Sequence, residues 1–306
     1  MSISDEIKQE ALRLGFDACG ICRAKDSGEE NRYMQWINDN CQATMSYMER
    51  NIDKRLDPRL LVDGAKSIIS VALNYYPHQK QPFHAPQFAY YSYGKDYHKV
   101  IRDKLKLLFE FIQKRYHETT GRYFSDSAPV LERFWAQQAG LGFVGKNSLL
   151  IIPGKGSFFF LGELIIDIEL DYDTPVSENC GSCTRCIDGC PTGAIDKPYR
   201  VDANKCISYQ TIENRGEIAP EIAPRLKNYV FGCDICQKVC PWNRSSTPHN
   251  TPDFMPSDEF LLLDLKKLID MNEKEYQEMF RGSAVKRTKF SGLKRNVLAI
   301  SKARNK

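Results

Sequence analysis

Apolar residues at helical spacing open the chain: Ile3, Ile7, Leu12 and Leu14 predict a helix that Gly15 stops. Phe16 to Cys22 then reads as a short buried strand, and Arg32 to Glu49 as two short helices carrying Trp36, Met45 and Met48. Asp57-Pro58 breaks the chain before Ser67–Leu73, whose Ile68, Ile69 and Val71 predict a central strand. Tyr75 to Tyr93 is a Pro- and Tyr-rich connection without periodicity, of the length that walls ligand sites. Gly94 opens an amphipathic helix to about His117, with Ile101, Leu105, Leu108 and Ile112 as its buried stripe. A strand at Arg122–Phe124, a helix at Pro129–Ala139 and a hairpin-like pairing of Leu149–Ile152 with Phe158–Ile168 follow. After a polar, linker-like stretch from Asn243 to Pro256, helices are predicted at Phe260–Ile269, Glu273–Phe280 and Leu293–Ala303.

Composition adds bounds. With 306 residues, 42% hydrophobic and 27% charged, the chain has an ordinary globular balance and ample core. No apolar run approaches the roughly 20 residues of a membrane span. Met1 to Gly20 has neither a basic nor an apolar signal region, so a cytoplasmic protein is expected. Eleven cysteines in that compartment point to metal rather than cross-links. The net charge of +4 is mild, but Arg281 to Lys306 holds nine Lys or Arg and no acid. A charge run is usually a solvated helix face; interleaved with Phe290 and Leu293, it also suits a phosphate backbone.

Eight of the cysteines fall in one module. Cys180, Cys183, Cys186 and Cys190-Pro191 follow C-x2-C-x2-C-x3-C-P; Cys206 stands alone; Cys233, Cys236 and Cys240-Pro241 close the set. This is the bacterial ferredoxin pattern, in which the fourth cysteine serves the other cluster of a pair. Crossover assigns Cys180, Cys183, Cys186 and Cys240 to cluster one, and Cys190, Cys206, Cys233 and Cys236 to cluster two. Zinc would also use C-x2-C pairs but has no need of C-x3-C-P twice.

Other candidates have plain structural readings. Cys19 and Cys22 lie three apart on a strand, and with Cys41 they read as small buried hydrophobes. His98 reads as an exposed first-turn residue, and Asp126, before Pro129, as a helix cap or as an acid at a strand end. The glycines of Gly140-Leu-Gly142-Phe-Val-Gly145-Lys146-Asn147-Ser148 lack the G-x4-G-K-[ST] spacing and suit close approach to a flat cofactor. Some 170 residues precede the module, more than an electron carrier needs.

Several motifs together resemble the epoxyqueuosine reductases: Asp126-Ser-Ala-Pro-Val-Leu-Glu132-Arg, the Gly140–Ser148 loop, Gly156-Ser-Phe-Phe-Phe-Leu-Gly162-Glu163-Leu, Cys206-Ile-Ser-Tyr209, Gly232-Cys233-Asp234-Ile-Cys236-Gln, Cys240-Pro-Trp242-Asn243 and Gly282-Ser-Ala284. The resemblance runs over essentially the whole chain and looks like a short form, without the C-terminal helical-repeat domain of longer members. It implies an α+β to α/β fold. Residues 1–170 would be a cobalamin-binding catalytic domain with a nitroreductase-like mixed sheet and helices. Residues 171–245 would be a ferredoxin-like domain with two [4Fe-4S] clusters, and 246–306 a helical, basic, tRNA-contacting segment. The implied reaction is reduction of epoxyqueuosine at the tRNA wobble position to queuosine, with cob(I)alamin fed by the clusters.

Carried onto this chain, the family's proton donor is Asp126, whose pKa should be raised by burial against the corrin. Tyr97 and His98 would line the substrate side. Lys146, Asn147, Ser148, Ser208, Tyr209, Gln210, Cys233 and Asp234, with Asp126 itself, would contact cobalamin. Lys286, Arg287, Lys289, Lys294 and Arg295 would meet the RNA. The implied partners are tRNA with epoxyqueuosine in its anticodon and a low-potential electron donor, with no membrane and a monomeric state. A corrinoid reductive dehalogenase-like enzyme, which would normally carry a twin-arginine signal, and a two-cluster carrier without its own chemistry are the competing readings.

Overall fold

The computed structural model describes residues 2–304. Its main sheet has four strands in the order β1 (Ala18–Arg23), β2 (Ser67–Asn74), β7 (Phe159–Ile166) and β4 (Gly121–Phe124), antiparallel throughout. Two short pairs complete the strands: β3 (Gln87–Phe88) runs parallel to β8 (Tyr229–Phe231), and β5 (Phe143–Val144) antiparallel to β6 (Leu150–Ile151).

Period-two alternation gives β7 two apolar faces. Phe160, Leu164 and Ile166 turn to a core that contains Ile101, Leu105 and Leu108 of the helix Tyr97–Arg115. Ile165 turns to a second core with Trp135 and Ala136 of the helix Glu132–Gln138. Gly162 sets the first spacing, since a Cβ there would lie 2.7 Å from Ile101. Helices thus cover both faces of one sheet. The larger core continues through Phe231 and Phe254 to Val297 and Ile300, so the N-terminal sheet, the cysteine-rich module and the C-terminal helices share it.

Tertiary pairing overrides several local expectations. The predicted hairpin of Leu149–Ile152 with Phe158–Ile168 does not form. Instead β6 pairs with β5, an Ile152–Gly156 bridge closes only the turn after the first run, and β7 inserts between β2 and β4. A strand that is apolar on both faces needs a neighbour on each edge, which a hairpin partner alone does not supply. The stretch 260–269 is two short helices, because the Asp264 side chain accepts from Lys267 N and caps a new start. The linker-like stretch packs down: His249 N donates to Tyr76 O, and Phe254 is buried with its ring 5.1 Å from Phe160.

The basic tail forms the helix Lys289–Arg304, with Leu293, Val297 and Ile300 buried. Two of the proposed RNA contacts are committed inside the chain. Lys294 Nζ caps the helix Leu265–Asp270 at the carbonyls of Ile269 and Met271. Arg295 donates to the carbonyls of Gln210, Asn214 and Gly216, tying the tail to the segment after Cys206. These internal bonds give the pair an anchoring role within the chain. Arg295→Ala should therefore lower unfolding stability by about 1.5–2 kcal/mol, the scale of losing charged donors to partly buried carbonyls. Chemical denaturation without RNA checks this, and an unchanged midpoint would restore a free arginine.

Candidate active site and cluster centres

β4 ends at Phe124, and Ser125, fully buried, bonds Leu161 O through Oγ at 2.8 Å. Asp126 then takes a left-handed conformation, φ +52°. It caps no helix: the next one starts at Glu132, after Leu131. The helix-cap reading of Asp126 is thereby corrected, and the residue is a turn that pushes a carboxyl into the open. Its side chain is 66% exposed.

Facing it is the start of the helix Tyr97–Arg115, which Asp96 caps by accepting from His98 N. Gly94 makes this entry possible: its φ is +70°, and a Cβ would sit 2.4 Å from Asp253 O. Lys95 N and Asp96 N donate to Asp253 O and Gly282 O, so the C-terminal segment fixes the helix start. Tyr97 Oη donates to Asp126 Oδ2 at 2.7 Å. His98 bridges two carboxylates, with Nδ1 2.6 Å from Asp96 Oδ1 and Nε2 3.7 Å from Asp126 Oδ2. The Tyr97 ring is clamped between Phe160, at 4.2 Å and nearly parallel, and the His98 imidazole at 4.0 Å.

The electrostatics decide where the protons sit. Desolvation by the protein around the site would raise Asp126, but the pull of His98, the Tyr97 hydrogen bond and the charges of His98 and Arg133 hold it below its ordinary value. Burial would lower His98, but Asp126 and Asp96 outweigh it and push the imidazole up to about 9. Burial and the Asp126 charge keep the Tyr97 phenol protonated. The transferable proton at neutral pH thus sits on His98, with Asp126 as its carboxylate partner.

The sign follows for pH dependence. A raised His98 contributes its full stability below 6.5 and loses it as pH rises through about 9. A depressed Asp126 contributes above 3.8 and loses it as pH falls through its folded pKa. In Asp126→Asn, His98 keeps Asp96 but loses its second anion, so its titration midpoint should fall from about 9 toward 6.5. Side-chain NMR of the five histidines reads this, and an unmoved midpoint would break the pairing.

The eight module cysteines separate into two sets. Cys180, Cys183, Cys186 and Cys240 ring one cavity with Lys146, Asn147 and Trp242. Lys146 N donates to Cys180 Sγ, and its Nζ to Gly181 O and Cys183 O. Burial pushes up the thiols of Cys206, Cys233 and Cys236; Cys190 lies close enough to affect Cys206 and Cys236, and Cys206 to affect Cys233 and Cys236. Thiols that resist ionisation this way are those a cluster's positive iron deprotonates on binding. Among the described residues no three Cys, His, Asp or Glu converge tightly enough for a single ion. A four-iron cube spaces its ligands more widely, and the donor chemistry of both sets fits one.

The proposed cobalamin contacts divide. Lys146 and Asn147 line the cluster-one cavity, and Asn147 Nδ2 is buried there without a partner. Ser148 follows in a left-handed turn, φ +61°. Tyr209 Oη bonds Thr44, Gln210 Nε2 bonds Asn204 O, and buried Asp234 accepts Tyr90 N; Ser208 is half-buried beside them. Asp234, pushed up to about 6 by burial, thereby ties the loop after Cys233 to the aromatic connection. Tyr91 lies within electrostatic reach of both Asp126 and Asp234, with its ring 6.1 Å from Tyr97 and 5.9 Å from Phe231. The acid and the cluster-two loop therefore border one region, where exposed Asp126 and half-buried Cys233 leave polar groups for a flat cofactor. Of the remaining basic residues, Arg287 pairs with Glu213 and feels Asp126, Lys286 bonds Gln277, and Lys289 has φ +63° at the helix start.

Three residues near the site were given no role by the sequence. Asp96 carried a usable signal, an Asp two residues before a histidine at a helix start. Glu163 carried another, the one acid in an otherwise apolar strand. Tyr91 was hidden in an aperiodic stretch.

The chain is similar to known proteins in both sequence and fold. Residues 179–243 match the family model of a 4Fe-4S double cluster binding domain, and residues 55–127 that described as epoxyqueuosine reductase QueG. The chain is 52% identical to epoxyqueuosine reductase of Cellulophaga algicola, over 96% of each chain. It is 42% identical to that of Escherichia coli, over 93% of this chain and 77% of the other. Among solved structures, an epoxyqueuosine reductase with a tRNA-Tyr epoxyqueuosine-modified stem loop superposes with a TM-score of 0.89 at 33% identity, covering 97% of this chain and 80% of that one. The Bacillus subtilis reductase with its catalytic aspartate loop swung out of the active site gives 0.87 at 32%, with the same coverage.

Proposed function

The chain belongs to the epoxyqueuosine reductase family, and on that premise we propose that it reduces epoxyqueuosine in tRNA to queuosine, with Asp126 as the group that protonates the departing epoxide oxygen. The observation that carries the chemistry is the Asp96–His98–Asp126 array with Tyr97, set on an open face beside the cluster-two loop. A carrier without its own reaction has no use for such an array.

The overall change removes the epoxide oxygen as water and leaves a carbon–carbon double bond, consuming two electrons and two protons. Cobalamin, when bound, supplies the two-electron chemistry at carbon, and the two clusters feed it electrons one at a time. The chain's own residues manage the protons. His98 stores one on Nε2, Asp96 fixes the ring through Nδ1, and Tyr97 holds Asp126 Oδ2 in line. When bound substrate covers the open face, an ion pair becomes dearer than a neutral pair, so one proton shifts from His98 to Asp126 and on to the leaving oxygen, and the second, which completes the water, comes from solvent.

Of the candidates for cobalamin, Cys233 and Asp234 lie in the loop that borders the acid's region, Ser208, Tyr209 and Gln210 follow Cys206 in the chain, and Lys146 and Asn147 line the cluster-one cavity with Ser148 next to them in sequence. For the RNA, Lys286, Arg287 and Lys289 remain, and Arg287 is favoured because it feels Asp126. Residues 1–170, 171–245 and 246–306 are read as catalytic, cluster and RNA-contacting segments on their shared core. No helix among the described residues is long and apolar enough to cross a membrane. A cytoplasmic monomer fed by a low-potential donor fits this reading.

The test is anaerobic. Protein reconstituted with iron, sulfide and cobalamin receives a strong reductant and tRNA bearing epoxyqueuosine, and the digested RNA is searched for queuosine by mass. Conversion is expected. No conversion with all cofactors bound would overturn the substrate assignment.

A further inference from the structure

Behind the Asp126 turn lies a second pair of carboxyls that the reaction as described does not use. Glu163 is fully buried in β7, and neither of its side-chain oxygens has a hydrogen-bond partner among the described residues. Its cross-strand neighbour Ser70 and, on the helix packed over that face, Trp135 likewise bury polar atoms without partners. Glu132, in the first turn of that helix, adjoins Glu163 and accepts the Asp126 amide at Oε1, 2.5 Å away. From Asp126 to Pro129 this is the only backbone hydrogen bond to a residue outside the loop, among the described residues.

Asp is among the residues that tolerate the left-handed conformation, but still at some cost relative to Gly, so a hydrogen bond to its amide favours the turn. A buried carboxyl pair is suited to do so only if it is not doubly charged. Burial and the Asp126 charge push Glu132 up to about 7, and burial and Glu132 push Glu163 well up, so the pair keeps at least one proton at neutral pH. The other ionisable groups that bear on it are Asp126 in the turn, Arg133 on the helix, Tyr97 on the facing helix and Cys22 on β1.

We propose that Glu132 is a positioning residue for the reaction: sharing a proton with Glu163, it grips the Asp126 amide and holds the acid's loop in the turn that presents the carboxylate to Tyr97 and His98. The inference rests on the reading of Asp126 as proton donor. Release of that grip frees the loop to leave the site.

Hydrogen exchange of the segment 125–131, followed by mass spectrometry on cluster-loaded protein, tests the grip without turnover. Glu132→Ala should speed exchange there by about ten-fold or more, while Glu132→Gln, whose amide oxygen still accepts, stays within about two-fold of the parent. Glu163→Gln, the isostere of the protonated acid, should also stay near the parent. In turnover, Glu132→Ala should lower kcat by about ten-fold with KM for the stem loop unchanged, and Glu132→Gln should restore most of it. Should the alanine variant fail to fold, Glu132→Met removes the acceptor at similar volume and carries the same expectation. Parent-like exchange in the alanine or methionine variant overturns the proposal, as does a glutamine variant as loose as alanine. Failure of the reductase reading would leave the exchange results standing, so the two are separable.

Discussion

Asp126→Asn should reduce turnover of epoxyqueuosine tRNA by about 10²–10⁴-fold, the range in which a positioned proton donor contributes. Asparagine keeps the shape and can still accept from Tyr97, but it cannot relay a proton from His98 to the leaving oxygen. Cluster and cobalamin contents should match the parent, because the carboxyl touches no cysteine and caps no helix. Stability at neutral pH should fall only slightly, since the ion pair with His98 is largely solvent-exposed. Single-turnover conversion by prereduced enzyme checks the step itself. Parent-like conversion would remove Asp126 from the chemistry, whereas loss of bound cofactor would recast it as structural.

The second large effect concerns the wiring of the clusters. Cys240→Ala should delete cluster one although Cys240 lies in the second half of the motif, and Cys206→Ala should delete cluster two. Each variant should retain about four irons of about eight, with one low-potential electron paramagnetic resonance signal remaining. Cys206→Ala should also abolish turnover, since cluster two is the one whose loop borders the acid's region. The cavity ringed by Cys180, Cys183, Cys186 and Cys240 is the physical basis for the crossover. If Cys240→Ala instead emptied the set containing Cys233 and Cys236, the crossover assignment would be wrong.

Much of this was readable along the chain because its causes are local. A C-x2-C step fixes thiols within one loop whatever surrounds it, and the Ile101, Leu105, Leu108 and Ile112 stripe defines a helix face by spacing alone. The motif beginning at Asp126 drew attention to the right turn. Its conformation was another matter, for a Pro three residues on suggested a helix cap, and the positive φ depends on Glu132 and on a strand end fixed by Leu161.

Charge and pairing were decided at a distance. The proton affinity of Asp126 is set by a histidine 28 residues earlier in the chain, because a pKa responds to what lies within a few ångströms in space. Lys294 and Arg295 looked like free cations until folding placed carbonyls of Ile269, Met271, Gln210 and Asn214 around them. Likewise β7 looked like half of a hairpin, and the sheet gave it two other partners. The sequence by itself determined which atoms are available and how far apart the nearest of them can be, through covalent spacing and helical period. The tertiary structure alone decided which of them meet, since hydrogen-bond strength and proton affinity fall off over a few ångströms while sequence separation places no limit on approach.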